Sequence, residues 1–439
     1  MTVSPQRRQE IIGALRRGTV PQRGLDTFAV GLDHLQSALE EELDAVAGGA
    51  GHFKAIRGEY GSGKTFFARW LAERAKARGF AAAEVQISET ETPLHRLETV
   101  YRRLIERLST ADTPQGALRS VLERWGFALE EDVLSTGEVD EADAATLATR
   151  VDALMEARLI EVSRGAPAFA TALRAHRAAL ARGDGALAEG ILAWVGGGPN
   201  VPAAVKRAAG VKGEIDHFGA LSFLRGLLAV LRDAGHPGLL LVLDEVETLQ
   251  RVRSDVREKG LNAMRQLIDE VDGGRFPGLY LAITGTPAFF EGPQGAARLA
   301  PLAQRLHVDF AGDARFDNPR AVQIRLPGFD VERLVAVGVR VRDIFASGLP
   351  NEERIRRLAD DSYVKDLAGA VTGELGGKVG IVPRLFLKKL VAEVLDRIDQ
   401  FPDFDPREHY ALTVSDDELT FEEREARAPR TADDVPLDL

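Results

Sequence analysis

Cysteine is absent from this 439-residue chain. That excludes disulfides, thiolate zinc sites and a cysteine nucleophile, and it suits a reducing cytoplasm. Long apolar runs are lacking as well. No stretch reaches the ~20 apolar residues that a bilayer-spanning helix needs. The N-terminus, Met1-Thr2-Val3-Ser4-Pro5-Gln6-Arg7-Arg8, has none of the apolar core of a secretory signal. A soluble cytoplasmic protein with no membrane partner is expected. Basic charge is in deficit: 56 Lys and Arg against 67 Asp and Glu leave a net charge of −11. A lone DNA-wrapping protein neutralises phosphates with Lys and Arg and does not fit this balance. A ring that offers one basic loop per subunit to a channel would still fit. Aromatic residues are few at 6%, but the hydrophobic fraction of 45% is ordinary. A sizeable core is therefore expected, and the length allows two or three domains.

Against these absences stands one dense motif. Residues 58–65 read Gly-Glu-Tyr-Gly-Ser-Gly-Lys-Thr, a complete Walker A loop. Gly58, Gly61 and Gly63 leave main-chain amides bare enough to wrap phosphate oxygens. Lys64 supplies a point charge for the β- and γ-phosphates, and Thr65 a hydroxyl for Mg²⁺. The whole run Gly58, Glu59, Tyr60, Gly61, Ser62, Gly63, Lys64, Thr65 and Phe66 is the expected nucleotide-binding segment. The preceding His52–Arg57 is strand-like. Thr65–Ala77 has helical spacing, with Phe67, Trp70, Leu71 and Ala75 on one stripe. Strand, glycine loop and helix put unpaired N–H groups and the positive end of a helix dipole at the phosphates. The plain alternative is a glycine-rich turn between a strand and a helix.

Further strands are expected over Phe80–Ile87, Leu239–Leu243, Leu279–Thr284 and Ala321–Leu326, with helices between them. That alternation predicts a parallel sheet with crossover connections, an α/β fold with an αβα core. Five segments follow. Residues 1–50 form an N-terminal helical arm, whose Arg7, Arg8, Arg16 and Arg17 are either solvated or used for docking. In this arm Glu40, Glu41 and Glu42 face mostly away from the apolar stripe of Leu35, Leu39, Leu43 and Val46. Residues 51–109 and 216–326 make the nucleotide-binding core, and 110–215 a helical insertion. A helical lid spans 327–402, and 403–439 is a charged, partly disordered tail with its least structured part at Ala428–Asp434.

Asp244-Glu245 closes the wholly apolar run Leu239–Leu243, a Walker B pattern. Asp244 is expected to hold Mg²⁺ and Glu245 to polarise the attacking water, because phosphoryl transfer rests on positioning and charge neutralisation. Glu247 is the neighbour expected at the surface. Thr284 ends the next strand, where a hydroxyl would reach the water or the γ-phosphate; a turn hydroxyl is the alternative, and Thr286 the second candidate. Arg305 is a candidate to reach the nucleotide of an adjacent subunit, against an ordinary surface arginine. Arg384 follows Pro383 at a helix start, placed to fold over the γ-phosphate from the lid. Arg251, Arg253, Arg257, Lys259 and Arg265 make the helix expected over Gln250–Val271 basic, for a DNA-facing channel or simply a solvated face.

Together these motifs resemble the AAA+ P-loop NTPases, and the Pro-Arg helix start resembles the branch containing the origin-recognition initiators. Three segments are similar to the BrxD family of ATP-binding proteins from BREX-type phage-defence systems. They are Arg16–Pro21, Phe53–Phe67 and Val85–Leu94, with Leu243–Glu247 and Thr284–Pro287 in keeping. The resemblance implies a homo-oligomeric ring, assembly on double-stranded DNA, and a superfamily 2 helicase partner. It implies ATP and Mg²⁺ as ligands and ATP hydrolysis as activity. A low-turnover switch or scaffold, and a transposition-type AAA+ regulator forming filaments on DNA, remain the alternatives.

Overall fold

Five short strands pair side by side in one parallel sheet: β1 (His52–Arg57), β2 (Ala81–Gln86), β3 (Leu239–Asp244), β4 (Leu279–Gly285) and β5 (Gln323–Arg325), in the order β2-β3-β4-β1-β5. The computed structural model describes residues 3–374, 383–419 and 424. The α/β class expected from the sequence is present. Element limits shift by a few residues, as hydrogen bonding rather than hydrophobicity sets them. The Walker helix runs Lys64–Ala77 and the helix after β2 runs Leu97–Arg107. Among the described residues no helix is long and apolar enough to cross a membrane.

Alternation along the strands divides the core into two layers, because successive side chains point to opposite faces. Leu239, Leu241 and Leu243 of β3, with Leu279, Leu281 and Ile283 of β4, face one layer. Leu240, Val242, Tyr280 and Ala282 face the other. Both faces are covered, so β3 reads as a continuous apolar run.

The first layer contains the helices of residues 118–208. Val121, Trp125, Leu159, Phe169 and Trp194 share one cluster with the sheet. Its centre is Phe223, on the helix His217–Asp233. The rings of Tyr101, Phe169 and Trp194 meet Phe223 edge-on, with centroids 5.9, 5.2 and 5.5 Å away. Trp125 Nε1 donates to Asp233 at 2.6 Å. The helical segment is thus tied to the helix His217–Asp233 and shares the apolar layer on one face of the sheet.

The second layer joins the N-terminal arm, the Walker helix and the helices after β5. Arg16 forks onto Asp396 at 2.6 and 2.7 Å, and Arg8 donates to the Ser347 carbonyl. Neither arginine is a solvated arm group; both tie the helix Pro5–Arg16 to the C-terminal helices. A few residues later the same chain grips the Walker helix instead. Glu73 accepts from the amides of Gly24 and Leu25 at 2.6 and 2.8 Å, and Trp70 Nε1 donates to Asp26 at 2.6 Å. Residues 17–32 therefore cross from the C-terminal helices to the Walker helix.

Three sequence expectations are corrected. The helix expected from Gln250 starts only at Ser254 and runs to Asp272, and Gln250 instead ends a 3₁₀ turn, Val246–Gln250. Arg257 is buried at that junction and donates to the carbonyls of Leu249, Gln250 and Val252 at 3.1, 3.1 and 2.9 Å. It closes a loop and belongs to no exposed basic face. Glu42 is also buried, paired with Lys54 inside the molecule. The first part of the tail, residues 403–419, packs on the fold: Leu419 is buried and Glu418 pairs with Lys389 at 2.8 Å. The segment Ala428–Asp434 lies outside the described residues.

Candidate active site

Parallel pairing aligns the carboxyl ends of the strands. Arg57 lies opposite Gly285, and Gln86 opposite Asp244. The Walker A loop, Asp244, Gln86 and Thr284 therefore emerge at one edge of the sheet, where α/β proteins place their ligands. A cavity of about 270 Å³ opens there. Its wall includes the Walker A loop, Asp244, Glu245, Glu247, Phe329, Arg333 and Arg384. The crossing segment adds Val20, Pro21, Phe28 and Val30, which with Leu326, Val337 and Leu387 make one side apolar.

The loop keeps its shape through its glycines. Gly61 and Gly63 have φ of 77° and 89°, the left-handed region that side chains disfavour. At Gly58 a Cβ would sit 2.2 Å from Ser62 Oγ, so a side chain there would force Ser62 to turn aside. Lys64 follows at the start of its helix and folds back. Its Nζ donates to the carbonyls of Gly58 at 3.0 Å and Glu59 at 3.4 Å. Ser62 Oγ is buried without a hydrogen-bond partner.

Asp244, only 3% exposed, collects three donors. Thr65 Oγ1 reaches Oδ2 at 3.0 Å, Thr284 Oγ1 reaches Oδ1, and the Glu245 amide donates to Oδ1 at 3.1 Å. Thr284 Oγ1 also accepts from the Glu245 amide at 3.2 Å. The structure thus brings Thr65, Asp244, Glu245 and Thr284 together. Thr286 serves elsewhere, capping the short helix Pro287–Glu291. Glu245 adopts φ 60° and ψ 44°, rare for a non-glycine residue and a strain of about 1–3 kcal/mol. That turn swings its side chain off the strand, where Gln86 Nε2 donates to Oε2 at 2.8 Å.

Glu247 is not at the surface. The 3₁₀ turn after β3 folds it inward, 3.6 Å from Lys64 Nζ, with its side chain 16% exposed. Burial, outweighing the nearby Lys64 ammonium, holds its carboxyl above the usual glutamate range. Its Oε2 has no hydrogen-bond partner.

Arg384 lines the cavity from the helix that begins at Pro383, and its Nη2 donates to the Glu418 carbonyl at 2.7 Å. Arg305 lies elsewhere, forked between Asp269 and Asp272 at 2.7 and 2.9 Å. Reaching a neighbouring subunit would require that fork to open.

Sequence reasoning missed Gln86, Arg333 and Phe329 and misplaced Glu247. Gln86 was findable in principle, as the last residue of a strand. Its importance depends on β2 lying beside β3, which no local pattern encodes. Arg333 begins a helix like many surface arginines and carries no such signal.

Among the described residues no three His, Asp or Glu side chains converge as a metal cluster. The Thr65 hydroxyl and Asp244 carboxylate are hard oxygen donors that suit Mg²⁺, which fills such partial sites with phosphate and water oxygens.

The sequence model of the family described as BREX system ATP-binding protein BrxC/D matches residues 3–414. Among solved structures, one similar chain is the ORC2 protein of Aeropyrum pernix in ADPNP-ADP complexes. It is 12% identical, with a TM-score of 0.35, covering 83% of this chain and 68% of that one. No curated protein matches the sequence.

Proposed function

The chain belongs to the family of BREX system ATP-binding proteins BrxC/D, an ATP-binding component of phage defence, and from that premise we propose that it hydrolyses ATP at the sheet edge described above. One observation carries the reading: Lys64, Thr65, Asp244, Glu245 and Thr284, distant in sequence, meet around one cavity. Amides of the Walker A loop and Lys64 would bind the phosphates. Thr65 and Asp244 would hold Mg²⁺, which when bound neutralises developing phosphate charge. Glu245 would accept a proton from the attacking water, with Thr284 orienting both its amide and Asp244. Arg384 would approach the terminal phosphate from the C-terminal helices, and Arg305 a neighbouring copy. The 110–215 segment and the lid are read as attachments to this AAA+ core.

The test is equilibrium binding of ATP with Mg²⁺. Wild type should bind, and Lys64→Ala should weaken affinity by roughly 30–100-fold, the loss of a charge-assisted phosphate contact. Absence of binding by the wild type would overturn the proposal.

The contact between Gln86 and Glu245 favours a second element, low basal turnover with release on assembly. While Gln86 donates to Oε2, the carboxylate is held toward β2 and shares its acceptor capacity with an amide as well as with water. Gln86→Ala should raise basal phosphate release roughly two- to tenfold, the worth of one hydrogen bond. A fall would show that Gln86 positions Glu245 for work instead, and no change that the contact has no bearing on turnover. We extend the reading to a nucleotide-dependent cytoplasmic oligomer on double-stranded DNA, working with a superfamily 2 helicase. Stimulation of turnover by duplex DNA would support that extension. Rings rather than open filaments in electron micrographs would separate it from the filament-forming alternative.

A further inference from the structure

Three carboxylates face the cavity, and two have fixed tasks: Asp244 collects three donors, and Glu245 is held by Gln86. Glu247 has none in that scheme. One of its oxygens points at Lys64 from 3.6 Å, and the other is buried without a hydrogen bond. A carboxylate so placed carries a desolvation penalty that a single distant ion pair does not fully offset.

The environment of Lys64 gives it a purpose. An ammonium has three donors. Here the Gly58 and Glu59 carbonyls accept from it, and Glu247 sits 3.6 Å away as its ion-pair partner, beyond hydrogen-bond reach. Lys64 already has a counter-charge before any phosphate arrives, so a phosphate oxygen must compete for the ammonium with the partners around it. The two carbonyls are part of the loop backbone, whose shape the left-handed glycines Gly61 and Gly63 set. Glu247 makes the longest of the three contacts and is a side chain on a 3₁₀ turn, so it is the partner that yields.

We infer that Glu247 is a built-in occupant of Lys64 that an incoming triphosphate must displace, and that it thereby sets nucleotide affinity. This rests on the nucleotide reading of the site. Glu247 acts through Lys64 as a positioning residue and takes no part in the chemistry.

The experiment is a binding series with ATP and Mg²⁺ on the full chain, comparing wild type, Glu247→Gln and Glu247→Ala. Thermal melting of each variant confirms the fold. Both substitutions remove the competing charge, and the alanine also excludes a new contact from the introduced amide. Each should tighten Kd about tenfold. In the Lys64→Ala background, adding Glu247→Gln should give less than a third of that gain, because the competition runs through the ammonium. A Kd within twofold of wild type, or weaker, in both folded variants overturns the inference. So does a gain that survives in full without Lys64, which would mark simple repulsion of the phosphate. If neither wild type nor Glu247→Gln binds any nucleoside triphosphate, the nucleotide reading itself fails.

Discussion

Glu245→Gln should bind ATP with Mg²⁺ about as well as wild type and lose roughly 10²–10⁴-fold in turnover, the range for removing a positioned general base. The substitution is isosteric, so the cavity keeps its shape. Glu245 contributes only its main-chain amide to the Asp244 cluster, and that amide is unchanged. Its carboxylate accepts from the Gln86 side chain, away from the Thr65–Asp244 pair. An amide still offers Gln86 an oxygen to bond, but it no longer takes a proton from water. Phosphate release at saturating ATP, with binding measured on the same sample, is the readout. Turnover equal to wild type would remove Glu245 from the chemistry. A parallel loss of binding would mean that the substitution disturbed the strained φ of 60° and not the base.

Lys54→Met should destabilise the fold by about 3–5 kcal/mol, the range for breaking a buried ion pair by removing one partner. Lys54 is fully buried on β1. Its Nζ meets Glu42 Oε1 at 2.5 Å and donates to the carbonyls of Pro319 and Ala321 at 3.1 and 2.7 Å, which lead into β5. Glu42 in turn accepts from Tyr280 at 2.5 Å and lies 3.2 Å from His52. Methionine fills the volume but leaves two carbonyls without their donor and Glu42 without its strongest neutralising partner. The melting midpoint should fall on the order of 10 °C, and β5, only three residues long, should lose protection from hydrogen exchange first. A midpoint within a degree or two of wild type would show that the pair barely exceeds its desolvation penalty.

The same cluster fixes the sign of a pH dependence. Burial raises the Glu42 carboxyl, but the adjacent His52 ring and the Lys54 charge outweigh it and leave it below the ordinary glutamate value of 4.5. A carboxyl with a depressed folded-state pKa contributes stability above the unfolded value and loses it as pH falls through the folded one. The gap between wild type and Lys54→Met should therefore be full at neutral pH and narrow below pH 4.5. For Lys54, burial lowers the affinity for its proton despite Glu42, so part of its desolvation penalty is relieved only on the alkaline side.

How far the sequence could be read depended on whether a feature is local. Lys64 and Thr65 stand beside the glycines that position them, and Asp244 closes its own apolar strand, so motif and geometry coincide. Glu247 was misjudged because three residues past a strand looks like a surface loop, whereas the 3₁₀ turn folds it back onto Lys64. Arg257 was read as part of a basic helix face. The break before Ser254 is what buries it, and nothing in the local run Gln250–Arg253 announces that break strongly.

Composition and short-range pattern alone determined the α/β class, the glycine loop between β1 and its helix, and the Asp-Glu pair that closes β3. Each depends on periodicity or on residues within a few positions of one another, where backbone sterics and burial act directly on neighbours. Strand order, the pairing of Gln86 with Asp244, the descent of Glu247 onto Lys64 and the passage of residues 17–32 beside the cavity were decided only by tertiary structure. These contacts join residues tens to hundreds of positions apart. Their energy is that of the assembled core, in which both faces of one sheet must be covered at once, and no segment carries that condition by itself.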